Sequence, residues 1–159
     1  MVGTLISKTS TDAIFNVPKL ITPTTQGNFS LATKSVLNLT GYTTFGDSIN
    51  SVFAFDGVHS SIYDSNSATC NVGIDLGENR GVQLTRIRYF PNYKWAIAST
   101  YIQGGTFQVS NDKTTWTTLG TIDQTVHAGW NSIMINDKNV YRYVRFNHSI
   151  TSKCNLAEI

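Results

Sequence analysis

Apolar and polar residues alternate along several short segments of this chain, and such alternation is typical of β-strands. In the segment 70–76, Val72, Ile74 and Leu76 alternate with polar or small residues. Because successive side chains of a strand point to opposite faces of a sheet, this segment is predicted to be a half-buried strand. Further strands are predicted over residues 32–39, 83–90, 130–135, 141–146 and 156–159.

A β-hairpin is predicted over residues 104–119, where two strand-like segments flank a polar cluster. Phe107 and Val109 alternate with polar residues before the cluster, and strand-favouring Thr and Trp residues resume after it. Asn111 and Asp112 can accept hydrogen bonds from their own backbone and tolerate positive φ, so they are predicted to form the turn.

Chain breakers complete the fold prediction. Gly41 and Gly46 indicate a loop over residues 40–50, and Pro91 ends the 83–90 strand because it lacks an amide donor. No segment of the sequence shows a convincing helical period. We therefore predict an all-β fold of two packed antiparallel sheets.

Composition and charge narrow the functional class. The 159 residues suit one domain, and only 14% of them are charged, so the surface is rich in Ser, Thr and Asn. The 12 basic residues are scattered among 10 acidic ones, whereas a nucleic-acid-binding protein normally carries a clustered basic face. No apolar run approaches the roughly 18 residues that cross a bilayer. We therefore expect neither nucleic-acid binding nor a membrane span.

The first eight residues of the sequence lack the basic start and apolar stretch of a secretory signal. An intracellular protein, a processed protein and a virion component released by lysis all remain compatible with this feature. Among these alternatives we favour an extracellular or virion-surface location over the cytoplasm.

Four sequence pieces, together with their order, resemble the discoidin family, also called the coagulation factor 5/8 type C domain. These pieces are Ala-Phe-Asp-Gly at 54–57, Ile-Asp-Leu-Gly at 74–77, the hairpin, and Tyr-Arg-Tyr-Val-Arg-Phe at 141–146 closing with 154–159. The resemblance covers roughly residues 33–159 and implies a galactose-binding-like jelly-roll β-sandwich. One departure is Lys113, because the family usually has Gly in this turn. A left-handed Lys113 would carry strain of about 1 kcal/mol.

Residues 1–30 lie outside the resemblance, and we separate them from a discoidin-like domain over residues 31–159. They carry paired apolar residues such as Leu5-Ile6 and Ile14-Phe15 between turn formers. Two interpretations stay open for this segment. It forms extra edge strands of the same sandwich, or it is an arm that makes an oligomer or docks on a larger assembly.

The resemblance also implies a structural calcium ion, which needs six to eight oxygen ligands. The ligand set that it implies combines the carboxylates of Asp56 and Glu158, the hydroxyl of Ser61, and carbonyl groups near Phe53 and Val58. The alternative interpretation is a plain Asp-Gly turn with a solvated Glu158.

Ligand binding in the discoidin family uses loops at one end of the sandwich, with a His, an Arg, an Asn and an aromatic platform. By resemblance, His59 and Tyr63 lie near the first of these positions, and Asn92, Tyr93 and Trp95 lie where the Arg is expected. Asn92 replaces the family's Arg, and the loss of a planar five-donor group argues against galactose-type specificity. Tyr93 and Trp95 are either an exposed aromatic pair or caps on the core.

Four further residues are predicted to be buried without a role in binding. Trp116 and Trp130 sit in strand patterns and are predicted to be core residues. Many domains of the family join their ends with a disulfide bond, but Cys70 falls well inside the domain. We therefore predict that Cys70 and Cys154 are buried free thiols.

The sequence lacks the motifs of common hydrolases, zinc proteases and nucleotide-binding enzymes. Asp56 with Asp64 could be imagined as a glycosidase pair, but two carboxylates in a polar loop are more often turn formers or metal ligands. We predict a non-enzyme, namely a lectin-like module that binds cell-surface or polysaccharide glycans, for example in adhesion. The alternative is a structural or assembly protein, such as a virion component, that uses the sandwich and the 1–30 segment for protein contacts.

Overall fold

Short β-strands dominate the computed structural model, which describes residues 30–31, 42–65, 69–92, 98–123, 125–149 and 154–159. Two 3₁₀-helices, Ile49–Ala54 and Ala98–Tyr101, accompany the strands in these ranges. The strands are β1 Ser30–Leu31, β2 Thr43–Gly46, β3 Tyr63–Ser65, β4 Thr69–Asp75, β5 Arg80–Gly81, β6 Arg86–Pro91, β7 Thr106–Ser110, β8 Thr117–Thr121, β9 Asn131–Met134, β10 Tyr143–Ser149 and β11 Cys154–Glu158.

The strands form two antiparallel sheets, as predicted for an all-β sandwich. The larger sheet has five strands in the order β2-β4-β10-β7-β8, and the smaller sheet has four in the order β3-β11-β6-β9. Strands β1 and β5 form a separate parallel pair. In the larger sheet the register aligns one residue from each strand in a single row, and that row is Phe45, Gly73, Arg145, Gln108 and Thr118.

The hydrophobic core lies between the two sheets. Strand β4 contributes Val72 and Ile74, which are buried, while the intervening Gly73 belongs to the opposite face. Phe107 on β7 and Phe146 on β10 pack with ring centroids 5.3 Å apart, and Tyr89 of β6 reaches Phe107 from the smaller sheet. The alternation therefore predicted which side of these strands is buried.

The loop predicted over residues 40–50 is wrong, because Thr43–Gly46 forms β2 and pairs with β4. A Cβ built at Gly46 would lie 2.6 Å from the carbonyl oxygen of Asn71. Glycine therefore permits close approach of a neighbouring strand here and does not end the strand pattern. The predicted 32–39 strand and nearly all of the 1–30 segment lie outside the described residues.

The β7–β8 hairpin is confirmed, and its turn is held by side-chain hydrogen bonds. Asp112 Oδ1 accepts bonds from the backbone amides of Thr114 at 2.8 Å and Thr115 at 2.7 Å, and these bonds hold the pKa of the Asp112 carboxyl well below its usual range. Ser110 Oγ accepts a bond from the Lys113 amide at 2.9 Å. Lys113 has a φ of 63°, so the residue is left-handed and carries the strain expected from the sequence.

The prediction of free thiols is wrong, because Cys70 is disulfide-bonded. The sequence offers one other cysteine, Cys154, as the partner within this chain. The reason lies in the topology. Strand β10 ends at Ser149, which pairs with Thr69, so the chain leaves β10 beside Cys70 shortly before it reaches Cys154. Distance along the sequence did not reveal this proximity.

Candidate functional site

An acidic turn follows the first 3₁₀-helix and closes on itself through hydrogen bonds. Asp56 Oδ1 accepts a bond from the Val58 amide at 2.8 Å, and its Oδ2 lies 2.7 Å from Ser61 Oγ. The Ser61 hydroxyl is also 2.6 Å from the Val58 carbonyl oxygen. Gly57 sits between them with a φ of 78°, a left-handed conformation that suits glycine. Three of the predicted calcium ligands therefore lie together in one turn.

Glu158, at the end of β11, reaches this turn from the other end of the domain. Its side chain is fully buried, and Oε2 accepts a hydrogen bond from the Gly57 amide at 2.9 Å. Oε1 is also buried and has no hydrogen-bond partner in the described part of the chain. Burial, assisted by the nearby Asp56 carboxylate, raises the pKa of Glu158 to about 8. The interpretation of a solvated Glu158 is therefore wrong.

The oxygen atoms of this acidic turn suit a hard cation. A buried carboxylate oxygen without a donor, a second carboxylate, a hydroxyl and a carbonyl are the ligand types that Ca²⁺ takes. Phe53 precedes them in the 3₁₀-helix. Among the residues that the structure describes, no group of three or more His, Cys, Asp or Glu side chains could hold a metal. A cation here would consequently depend on carbonyl and hydroxyl oxygens beside the two carboxylates.

An aromatic cluster, formed by His59, Phe90 and Trp130 with Arg88 beside them, adjoins the acidic turn. The His59 and Phe90 rings are stacked, with centroids 4.4 Å apart and planes 9° apart. Trp130 meets both rings edge-on at 5.3 Å and 5.5 Å, and the Arg88 guanidinium carbon lies 4.4 Å from the Trp130 centroid. Because Phe90 is the register partner of Glu158, the acidic turn and the aromatic cluster form one continuous region.

The structure separates the residues predicted to bind a ligand. His59 is partly buried in the aromatic cluster, whereas Tyr63 is fully buried and its hydroxyl donates to the Asn71 carbonyl. Asn92 is only 3% exposed. A residue without exposed surface cannot stack on a ligand, so we do not keep Tyr63 as a contact. The predicted pair Tyr93 and Trp95 lies outside the described residues.

Sequence reasoning missed most of the aromatic cluster. Trp130 was predicted to be a core residue, but it is partly exposed and lies outside the buried core, as does Trp116. Phe90 occupies the same face of β6 as Arg86 and Arg88, opposite the buried Ile87 and Tyr89. An aromatic residue on an otherwise polar strand face is the signal that could have identified this position.

Comparisons with known proteins are consistent with this geometry. A family model of the F5/F8 type C group, described as "NedA-like, galactose-binding domain", matches residues 53–146. The solved structure of CBM62 from Clostridium thermocellum Xyl5A is 29% identical, with a TM-score of 0.65 over 76% of this chain and 91% of that one. No curated protein sequence matches the chain.

Two more distant structures share the fold. CpGH89CBM32-6 of Clostridium perfringens is 17% identical, with a TM-score of 0.62 over 79% of this chain and 95% of that one. Chitosan-binding module 1 of a chitosanase/glucanase from Paenibacillus sp. IK-5 is 24% identical, with a TM-score of 0.55 over 77% and 92% of the two chains. The discoidin-type β-sandwich predicted from the sequence is thus confirmed.

Proposed function

Because this chain belongs to the F5/F8 type C family of NedA-like, galactose-binding domains, we propose that it is a non-catalytic module that binds glycans. The structural similarity to CBM62, a carbohydrate-binding module, supports this proposal. The observation that carries it is the aromatic cluster on the outer face of the smaller sheet, where His59 stacks on Phe90 and Trp130 meets both rings edge-on.

The chemistry of the aromatic cluster suits a sugar. A pyranose has apolar faces and a rim of hydroxyl groups, so one face stacks on a ring while polar side chains contact the rim. Arg88 brings a guanidinium against Trp130, and this group offers donors although Asn92 has replaced the family's Arg. We propose that His59, Trp130 and Arg88 form the ligand site together with Tyr93 and Trp95, which follow β6 in the sequence.

We further propose that the acidic turn binds calcium through Asp56, Ser61, Glu158 and the Phe53 and Val58 carbonyls. The partnerless Glu158 Oε1 supports this assignment, because a divalent cation would compensate a buried carboxylate that is otherwise costly to ionise. Bound calcium would stabilise the turn that carries His59. The ion would therefore order the ligand site without contacting the sugar.

The disulfide bond of Cys70 bears on location, since such bonds persist mainly in oxidising compartments. We propose that the module acts outside the cytoplasm, where glycans of cell surfaces and polysaccharides are accessible. In the part of the chain that the structure describes, no helix has the length and apolar character needed to cross a membrane.

A glycan array followed by titration calorimetry tests the proposed function. We expect binding to neutral oligosaccharides, and His59→Ala should weaken the affinity by roughly tenfold, the loss expected for one stacking contact. His127→Ala is the matched control, because His127 is exposed and forms its hydrogen bonds through the backbone. Absence of binding to any neutral glycan, or equal affinities for the wild type and His59→Ala, would contradict the proposal.

A further inference from the structure

The outer face of the five-stranded sheet carries a second group of rings and cations. We call this group the cationic aromatic face. The residues lie on β2, in the β7–β8 turn, on β10 and immediately before β10, and they are Phe45, Lys113, Trp116, Arg142, Tyr143 and Arg145. The Trp116 ring is 6.2 Å from Phe45 and 6.5 Å from Tyr143.

Arg145 is oriented within the cationic aromatic face by one ring contact and one hydrogen bond. Its guanidinium carbon lies 3.8 Å from the Trp116 ring centroid, and Nε donates a 2.9 Å hydrogen bond to Gln108 Oε1. Gln108 in turn donates to Thr118 Oγ1 at 3.3 Å. These contacts orient the guanidinium, and the hydrogen bond to Gln108 uses its Nε side, opposite the Nη atoms. Such an arrangement is suited to a two-point bond with an anionic group.

Lys113 adds a second cation to the same rings. Its Nζ lies 4.5 Å from the Phe45 centroid and 5.9 Å from the Tyr143 centroid. The residue keeps a left-handed backbone with a φ of 63°, which glycine would adopt without strain. Strain of this kind persists where a position has a role that the unstrained residue could not fill. Here the role that glycine lacks is an ammonium group beside Phe45.

The positive charge of this face is only partly compensated. Arg142 forms a two-point ion pair with Asp75 at 2.7 Å and 2.9 Å. Burial lowers the pKa of Arg145 and the Asp47 carboxylate partly offsets this effect, but within the described ranges neither Arg145 nor Lys113 has a carboxylate at salt-bridge distance. Two cations therefore remain available beside half-buried aromatic rings, and an anionic partner complements them.

We propose that the cationic aromatic face binds an anionic polysaccharide, whose carboxylate or sulfate groups contact Arg145 and Lys113 while a sugar ring packs on Phe45 or Trp116. The choice of a glycan as partner rests on the proposed function. The site itself is separate, because the aromatic cluster belongs to the smaller sheet, and the outer faces of two packed sheets point in opposite directions. One module would thus contact neutral and acidic parts of a polysaccharide on opposite sides.

Affinity electrophoresis and calorimetry with polygalacturonate, dextran sulfate and a neutral galactan test this proposal. We expect at least one of the two anionic polymers to bind, with an affinity that falls as salt rises, and Lys113→Gly and Arg145→Lys to weaken it by fivefold or more, the equivalent of about 1 kcal/mol. Lys113→Gly relieves backbone strain and is therefore expected to fold. Lys138→Gln is the matched control, because it removes one exposed cation from a different loop.

The two anionic polymers distinguish the source of the negative charge. Preference for polygalacturonate would assign a carboxylate ligand, and preference for dextran sulfate would assign a sulfated one. Neutral galactan binding should respond to His59→Ala and not to Lys113→Gly, so failure at one face is distinguishable from failure at the other. Binding of neither anionic polymer, or unchanged affinities in both variants, would overturn the proposal. Self-association that Arg145→Lys abolishes would also overturn it, by assigning the face to a second copy of the chain.

Discussion

The ring of Phe45 on β2 covers Gly73 on β4, with Phe45 Cζ 2.6 Å from where a Cβ of residue 73 would stand. The same Cβ would meet Arg145 Cβ at 2.8 Å and the Val144 carbonyl oxygen. Any side chain at position 73 would therefore clash with residues on both adjacent strands, β2 and β10. The missing side chain of Gly73 allows the Phe45 ring to pack against the backbone of β4 within the cationic aromatic face.

The first prediction concerns this glycine. Gly73→Ala should destabilise the fold by about 1–3 kcal/mol, the usual cost of overpacking, as measured by urea denaturation. Because the carbonyl of Val144 belongs to the backbone and cannot rotate away, the double variant Phe45→Ala/Gly73→Ala should not recover the stability of Phe45→Ala alone. Full recovery would show that the Phe45 ring is the only obstacle.

The second prediction separates backbone strain from side-chain charge at Lys113. Lys113→Ala and Lys113→Gly both remove the ammonium group, but only glycine accepts a φ of 63° without strain. Lys113→Gly should therefore be more stable than Lys113→Ala by about 1 kcal/mol, visible as a higher urea midpoint at equal m-value. Equal stabilities would mean that the turn relaxes when the side chain is shortened.

The third prediction tests calcium in the acidic turn. A ligand that binds only the folded state raises its stability, by about 2.7 kcal/mol at one hundred times the dissociation constant. The melting temperature should therefore be higher with calcium than with a chelator, and Asp56→Ala should abolish the difference. Asp123→Ala, which removes an exposed carboxylate elsewhere, should retain it. Coincident wild-type melting curves would reject the calcium site.

The fourth prediction concerns the disulfide bond of Cys70. A bond that closes a loop of more than 80 residues restricts the unfolded chain, so its loss should cost roughly 2–5 kcal/mol. Reductant should lower the melting temperature of the wild type and leave the Cys70→Ser/Cys154→Ser double variant unchanged. A wild-type protein indifferent to reductant would show that the bond adds no stability.

The fifth prediction is a pH dependence at the Asp75–Arg142 pair. The hydrogen bonds from Arg142 hold the pKa of Asp75 below its ordinary value. Because the folded-state pKa is the lower one, this stabilisation is present above the unfolded value of about 3.9 and is lost as the pH falls through the folded value. Between about pH 5 and pH 2 the wild type should lose roughly 1 kcal/mol more stability than Asp75→Asn. Parallel pH profiles would contradict this.

Much of the fold was predictable because its strands have one buried face. Strands β4 and β7 show the alternation that a half-buried strand requires. Strand β3 has only three residues, too few for a period, and its Tyr63 was assigned to ligand binding although it lies in the core. The disulfide was missed for a related reason. It depends on the pairing of β10 with β4, which brings the end of β10 beside Cys70, and the sequence alone does not show that pairing.

The candidate sites differ in how far a sequence could specify them. Asp56 and Ser61 are close in sequence, and the resemblance placed Glu158 beside them, so the acidic turn was predicted as a set. The cationic aromatic face joins Phe45 to Trp116 and Arg145 across three separate segments. Such a set depends on strand register, and local patterns carry no information about which residues become neighbours across a sheet.

The position of β11 within the smaller sheet has a consequence for how the protein folds. Strand β11 lies between β3 and β6, so these two strands cannot be joined until residues 154–158 have left the ribosome. The pairing of Leu156 with Tyr63 also closes a very long stretch of chain, and such non-local contacts slow folding. During synthesis the edge of β6 that pairs with β11 therefore stays without its hydrogen-bond partners, and completion of the smaller sheet is a late event.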